Sequence, residues 1–128
     1  MATILLAIKP EFIERIFSGD KKFEFRRSIA RRAVDKIVIY ATRPVCAVVG
    51  AVDVCGVISG APDYVWTKTC DFAGIEREFF DSYFNGRNVS YAYKLGHVVR
   101  FEVPRSLSDF GVRAAPQSFI YVDEYGHL

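Results

Sequence analysis

The residues with the most chemical capacity in this sequence sit together in Lys21-Lys22-Phe23-Glu24-Phe25-Arg26-Arg27. Lys and Arg neutralise anions, and the planar guanidinium of Arg also suits bidentate contacts. Glu can accept a hydrogen bond from an amine or fix a neighbouring Arg. Phe23 and Phe25 alternate with Lys22, Glu24 and Arg26, which is the two-residue repeat of a half-buried strand. The aromatic pair is expected to face a core, and the charged trio to share the opposite face at a spacing of about 7 Å. Such a row could line a nucleic-acid groove, with Lys21, Lys22, Arg26 and Arg27 on phosphates and Glu24 on the exocyclic amine of a base. It could equally be a solvated face carrying a Glu24–Arg26 surface ion pair worth under about 1 kcal/mol. A third chemistry is acid-base work by Lys21 and Glu24, if burial lowers the pKa of the amine or raises that of the carboxyl.

Charge placement favours an anionic partner. The chain of 128 residues carries a formal charge of only +2. Between Lys21 and Lys36, however, seven basic residues (Lys21, Lys22, Arg26, Arg27, Arg31, Arg32, Lys36) face two acidic ones (Glu24, Asp35), a local +5 that leaves −3 for the remainder. Arg31, Arg32 and Lys36 are expected in a solvated loop or turn. Unpaired bases are read by stacking on aromatic rings, and Trp66, Tyr64 and Tyr40 stand near expected element ends. Gln117 and Ser118 could reach a base edge or merely close the turn after Pro116.

Other chemistries find less support. Asp20 and Glu24 have no second acidic cluster or His beside them, so neither a metal nor another cofactor is expected. Cys46, Cys55 and Cys70 lack a C-x-x-C pairing and read as buried free thiols. His97 and His127 are the only histidines, and His127 lies one residue from the end, so a histidine-based site is not expected. Apolar runs such as Val45 to Val52 end at a charge well short of the roughly 20 residues of a membrane span. Lys9 and Glu11 interrupt the N-terminal apolar stretch before a signal-peptide pattern can form. A cytoplasmic protein without membrane contact is expected, and nothing in the residues fixes an oligomeric state.

The elements that must position these side chains follow from the patterning. Thr3 to Ile8 reads as a buried strand. Pro10 to Gly19 reads as a helix, with Pro10 in the first turn, Phe12, Ile13, Ile16 and Phe17 at helical spacing, and Gly19 as the stop. Lys36 to Tyr40 and Val45 to Ile58 read as strands separated by a Thr42-Arg43-Pro44 turn, with Gly50 and Gly56 as bulge or kink points. Asp63 is expected to cap a short helical turn, and Ile75 to Phe84 to form a helix whose Phe79, Phe80, Tyr83 and Phe84 belong to the core. Ser90 to Tyr93, His97 to Val103 and Phe119 to Val122 complete the strands. No repeat or linker interrupts the chain, so residues 1–128 are expected to be one α+β domain, a small, partly open barrel or strongly curved sheet with two or three flanking helices.

These residues resemble the ASCH domains of the PUA-like superfamily. Gly19, Lys21, Glu24 and Arg26 fit that family's G-x-K-x-x-E-x-R motif, set between a helix and the head of a strand. Leu5 to Pro10, Ile39-Tyr40-Ala41, Val49-Gly50, Trp66, Phe80 to Gly86, Tyr91 to Lys94 and Pro116 to Phe119 are similar to further blocks of one subgroup. The resemblance implies a PUA-like β-barrel, a cleft between barrel and helix lined by the motif's charges, and RNA binding linked to transcription or translation. Lys9, Lys21, Lys22, Glu24, Arg26 and Arg27, joined by Trp66, Gln117 and Ser118, are then the nucleic-acid-binding candidates. Some small members resemble amidohydrolases acting on acylated cytidine, with a Lys, a Thr nucleophile and a Glu. Lys21 matches that Lys, but Glu24 stands where the Thr would be, and a carboxylate there would have to form an anhydride. A binding module therefore ranks first, a hydrolase of modified nucleosides using Lys21 and Glu24 second, and a ribonuclease third.

Overall fold

In a computed structural model describing residues 1–123, six strands form one mixed sheet in the order β2-β5-β4-β3-β1-β6. β1 (Ala2–Ile8) runs parallel to β3 (Val34–Ala41), while every other neighbouring pair is antiparallel. β1 is apolar apart from Thr3, as befits a strand with both faces covered. Ile4, Leu6 and Ile8 join Ile13 and Ile16 of helix α1 (Pro10–Ser18) in one core, while Leu5 joins Val38, Val48 and Val112 in another on the opposite face. α1 starts with Pro10 in its first turn and stops at Gly19, whose φ of 91° lets its N–H turn back to the Ile16 carbonyl.

β4 (Ala47–Gly60) and β5 (Ser90–Arg105) are the long strands that curve the sheet. Their register shifts next to Gly50 and Gly56, as the glycine positions predict. β5 itself is continuous where two strands were expected. The Lys94–Leu95–Gly96 stretch is absorbed as a bulge against β4, and Gly96 leaves room for the Cys55 side chain. β2 (Phe23–Arg26) is short and pairs with β5, and β6 (Phe119–Val122) pairs with β1. These two are the edges of the sheet, so the barrel is not closed.

Helices α2 (Pro62–Thr69) and α3 (Arg77–Tyr83) cover Phe25 and Ala92 through Val65, Phe80 and Phe84. Asp63 does not cap α2. Ala61 holds that position, and the Asp63 carboxylate lies 2.7 Å from the Arg77 guanidinium instead, an alternative that sequence spacing does not reveal. The cysteines are free but all three are exposed, correcting the expectation of burial. Cys46 lies in the turn before β4, Cys55 on the outer side of the β4 bulge and Cys70 just past α2, so each sits where apolar neighbours in sequence are not neighbours in space. Among the described residues no helix is long and apolar enough to cross a membrane. His127 lies outside the described residues.

Candidate functional site at the open seam

Because the sheet curves without closing, β2 comes to face the far end of β1 with no backbone ladder between them. A side chain spans the gap. Arg26 donates from Nη2 to the Ala7 carbonyl of β1 at 3.0 Å and from Nε to Glu24 Oε2 at 3.1 Å. The Glu24–Arg26 pair, for which a solvated surface bridge was one of the open readings, is largely enclosed, with side-chain exposures of 9% and 15%. β-strand alternation does put Glu24 and Arg26 on one face, which meets the end of β1 across the gap, while α3 packs on the Phe25 face. Lys22 precedes the strand and does not join them; it is exposed, with its ammonium 4.3 Å from the Phe72 ring centroid.

Lys21 is the most enclosed cation, at 3% exposure. After the Gly19 turn its N–H donates to the Arg15 carbonyl at 2.9 Å, which folds the chain beneath α1. Its ammonium lies 4.8 Å from the Phe25 ring centroid and 5.5 Å from that of Phe12, and donates to the Ala73 carbonyl at 2.9 Å. The 72–74 segment holds this arrangement with three successive carbonyls. Phe72 accepts from the Lys22 N–H at 2.9 Å, Ala73 from Lys21, and Gly74 from Arg15 Nη1 at 2.7 Å. Gly74 has φ of 68°, and a Cβ there would strike the Lys21 side chain, so both conformation and space require glycine. Burial lowers the Lys21 pKa from 10.5 to about 8; Glu24 opposes that fall, and Arg15 and Arg26 add to it.

Two adjacent hollows flank Arg26. The first, a cleft of about 150 Å³, has Ala7, Ile8 and Lys9 on the β1 side, Lys21, Glu24 and Phe25 beneath, and Phe79 and Tyr83 of α3 as its wall. The second, a groove of about 340 Å³, is lined by Arg27, Ser28, Arg87, Tyr93, Gln117 and Ser118. Arg26 and Tyr83 line both. Arg27 is fixed by a 2.8 Å hydrogen bond from Nε to the Tyr83 carbonyl, with its guanidinium 4.3 Å from the Tyr83 ring centroid. Lys9 stands at the mouth of the cleft, 5.4 Å from the Phe79 ring.

The structure thus gathers Lys9, Lys21, Glu24 and Arg26 at the cleft and Arg27, Gln117 and Ser118 at the groove. It does not bring Trp66 there. That ring packs on Phe80, with centroids 5.0 Å apart, in the α2–α3 cluster, and Arg77 covers it at 5.4 Å. Phe79, expected in the core, is exposed instead, while Tyr83 does pack on the edge of the α2–α3 core; the two rings, nearly parallel at 11°, form the aromatic wall of the cleft. A partial signal was available: Phe79/Tyr83 and Phe80/Phe84 are two i,i+4 rows about 100° apart around a helix, so the two rows can meet different surroundings. Arg87 and Tyr93 carried no such signal, since only the folded chain brings them beside Arg27. Among the described residues no group of three or more His, Cys, Asp or Glu could hold a metal ion.

The sequence and the fold have counterparts in known proteins. An ASCH domain-containing ribonuclease of Zymomonas mobilis subsp. mobilis is 34% identical over 92 residues, which make up 71% of this chain and 62% of that protein. Two proteins of Ureaplasma parvum serovar 3 match over 121 residues, 94% of this chain: one named ATP synthase subunit alpha at 26% identity, the other large ribosomal subunit protein uL22 at 25%. This chain spans only 15% and 39% of their respective lengths. The crystal structure of ASCH from Zymomonas mobilis superimposes with a TM-score of 0.87 at 28% identity, covering 96% of this chain and 89% of that one. The ASCH domain model matches residues 6–98, a span that runs from the end of β1 through the motif at the seam and into β5, and the chain belongs to the ASCH domain family.

Proposed function

We propose that this chain engages single-stranded RNA at the seam, one unstacked base entering the cleft while the adjoining backbone lies against Arg26 and Arg27. The observation that carries this reading is the coexistence, in one open cleft, of a stacking wall (Phe79, Tyr83), a cationic donor (Lys21) and a carboxylate with a free oxygen (Glu24 Oε1). That combination suits a flat heterocycle with an amine on its edge, and RNA modules read splayed bases in this way. The cleft lies below the roughly 300 Å³ of typical ligand pockets, which favours a single ring system over a larger ligand. The relative named ribonuclease supports an RNA partner.

A second reading, cleavage of the bound RNA, is favoured by one observation besides that relative's name. Lys21, with its pKa lowered to about 8, can donate or accept a proton near neutral pH. Fluorescence anisotropy with single-stranded and duplex RNA over a salt series tests binding. The single strand should bind more tightly, Arg27→Gln should weaken it and flatten the salt dependence by about one phosphate contact, and Lys21→Met, which removes a donor to the base, should weaken it with little change in that slope. Equal affinities for wild type and both variants would remove the seam from RNA binding. Incubation of the same RNA separates the readings: cleavage by wild type that Lys21→Met abolishes supports the nuclease, and intact RNA leaves the binding module.

A further inference from the structure

The groove beside the cleft differs from it in kind. Three guanidiniums, those of Arg26, Arg27 and Arg87, border it, and no acidic residue does. Arg26 is balanced by Glu24 at 3.0 Å. Arg27 is held by a backbone carbonyl and an aromatic ring, neither of which cancels its charge. Among the described residues the Arg87 side chain makes no hydrogen bond or ion pair. Two positive charges thus converge on the groove without a counter-charge. Neutral donors stand beside them: the Ser28 and Ser118 hydroxyls, and Tyr93, whose oxygen accepts the Ala30 N–H at 3.3 Å and whose own O–H remains to donate.

Resting on the RNA reading above, we propose that this groove seats a phosphomonoester, the terminal phosphate of the nucleotide whose base occupies the cleft. The charge balance favours an end over an internal linkage. A phosphodiester carries one negative charge and would leave half of the excess unmatched, whereas a phosphomonoester carries about −1.5 to −2 at pH 7. Arginine forks bind such a group through paired, charge-assisted hydrogen bonds. The base and its phosphate would lie on either side of Arg26 and Tyr83, which border both hollows.

The test compares short single-stranded RNAs of one sequence ending in hydroxyls, in a 5′ phosphate or in a 3′ phosphate, binding measured at pH 7.5 and pH 5. A phosphate at one end should tighten binding about tenfold or more at pH 7.5. The gain should shrink at pH 5, where the phosphate has lost its second charge. The groups facing the groove are Arg26 and Arg27 from β2 and the residue after it, Tyr83 from α3, Arg87 from the following turn, Tyr93 from β5, and Ser28, Gln117 and Ser118 from loops. Lys21 and Glu24 face the adjoining cleft and act on all three RNAs alike, so the ratio of affinities isolates the phosphate. Arg87→Gln, in an exposed turn, should reduce the gain below about threefold. No gain at either end, or a gain that Arg87→Gln and Arg27→Gln leave intact, overturns the proposal. Failure of all three RNAs to bind would instead mark failure of the RNA reading, and a nucleoside compared with its 5′ and 3′ monophosphates then decides for the groove alone.

Discussion

Lys21 carries the sharpest single-residue consequence. Its pKa is lowered from 10.5 to about 8 mainly by burial, so between those values the unfolded chain holds a proton that the folded chain has released. Stability must then rise with pH from about 8 to about 10.5, and the protonated form at neutral pH costs about 3 kcal/mol. Lys21→Met removes that cost and leaves the Ala73 carbonyl without its donor, a loss of about 1–2 kcal/mol. Urea unfolding at pH 7 should therefore find the variant more stable than wild type by about 1 kcal/mol, and the order should reverse near pH 10.5. Parallel stabilities across that range would mean the amine is not desolvated. The residue types of this site were legible in the sequence, and so was the chance that burial could tune Lys21. Its surroundings were not, because Phe12, Phe25 and the Ala73 carbonyl reach it from three separate stretches of chain.

α3 shows how one short element serves two purposes. Its Phe80/Phe84 pair is buried against Phe25, while Phe79, 38% exposed, and Tyr83 wall the cleft. The two roles separate by mutation. Phe80→Ala empties a fully buried site and should cost about 3–5 kcal/mol, whereas Phe79→Ala should cost under about 1 kcal/mol and weaken RNA binding by the loss of a stacking surface, about 1–3 kcal/mol. Thermal unfolding with anisotropy on both variants checks this, and RNA affinity unchanged in Phe79→Ala would take α3 out of the site. Helix and strand positions were read from period and punctuation with small errors: α1, β1, β2, β3, β4 and β6 lie close to where Pro10, Gly19 and the alternating runs put them. What periodicity misassigned was the partner of a face. The spacing of four aromatics says that a helix is amphipathic on a broad arc, and only tertiary structure says which part of the arc meets the core and which meets a cleft.

At the scale of the molecule, the site exists because the sheet curves and does not close. Composition and strand count made a partly open barrel legible, but not where the opening falls, which depends on β6 taking the second side of β1 and leaving β2 as the opposite edge. The opening puts an unpaired carbonyl of β1, the β2 charges and the α3 aromatics around one hollow. Arg26 is then both seam and site. It satisfies the Ala7 carbonyl and the Glu24 carboxylate at once, and removing it strands a carboxylate only 9% exposed. Breaking a buried pair in this way typically costs about 3–5 kcal/mol, and the partial exposure of this one lowers the expectation to about 2–3 kcal/mol for Arg26→Met. Adding Glu24→Gln to Arg26→Met removes the stranded charge, so the double variant should recover about 1–2 kcal/mol of that loss. If the pair were an ordinary surface bridge the single change would cost under about 1 kcal/mol and the double would recover nothing. Hydrogen exchange adds a readout specific to the seam. In Arg26→Met the amides of β2 should exchange faster at their free edge while those of β3 and β4, held on both sides by ladders, keep their protection. A uniform rise across all strands would show that Arg26 supports the whole sheet and does not act at its open side.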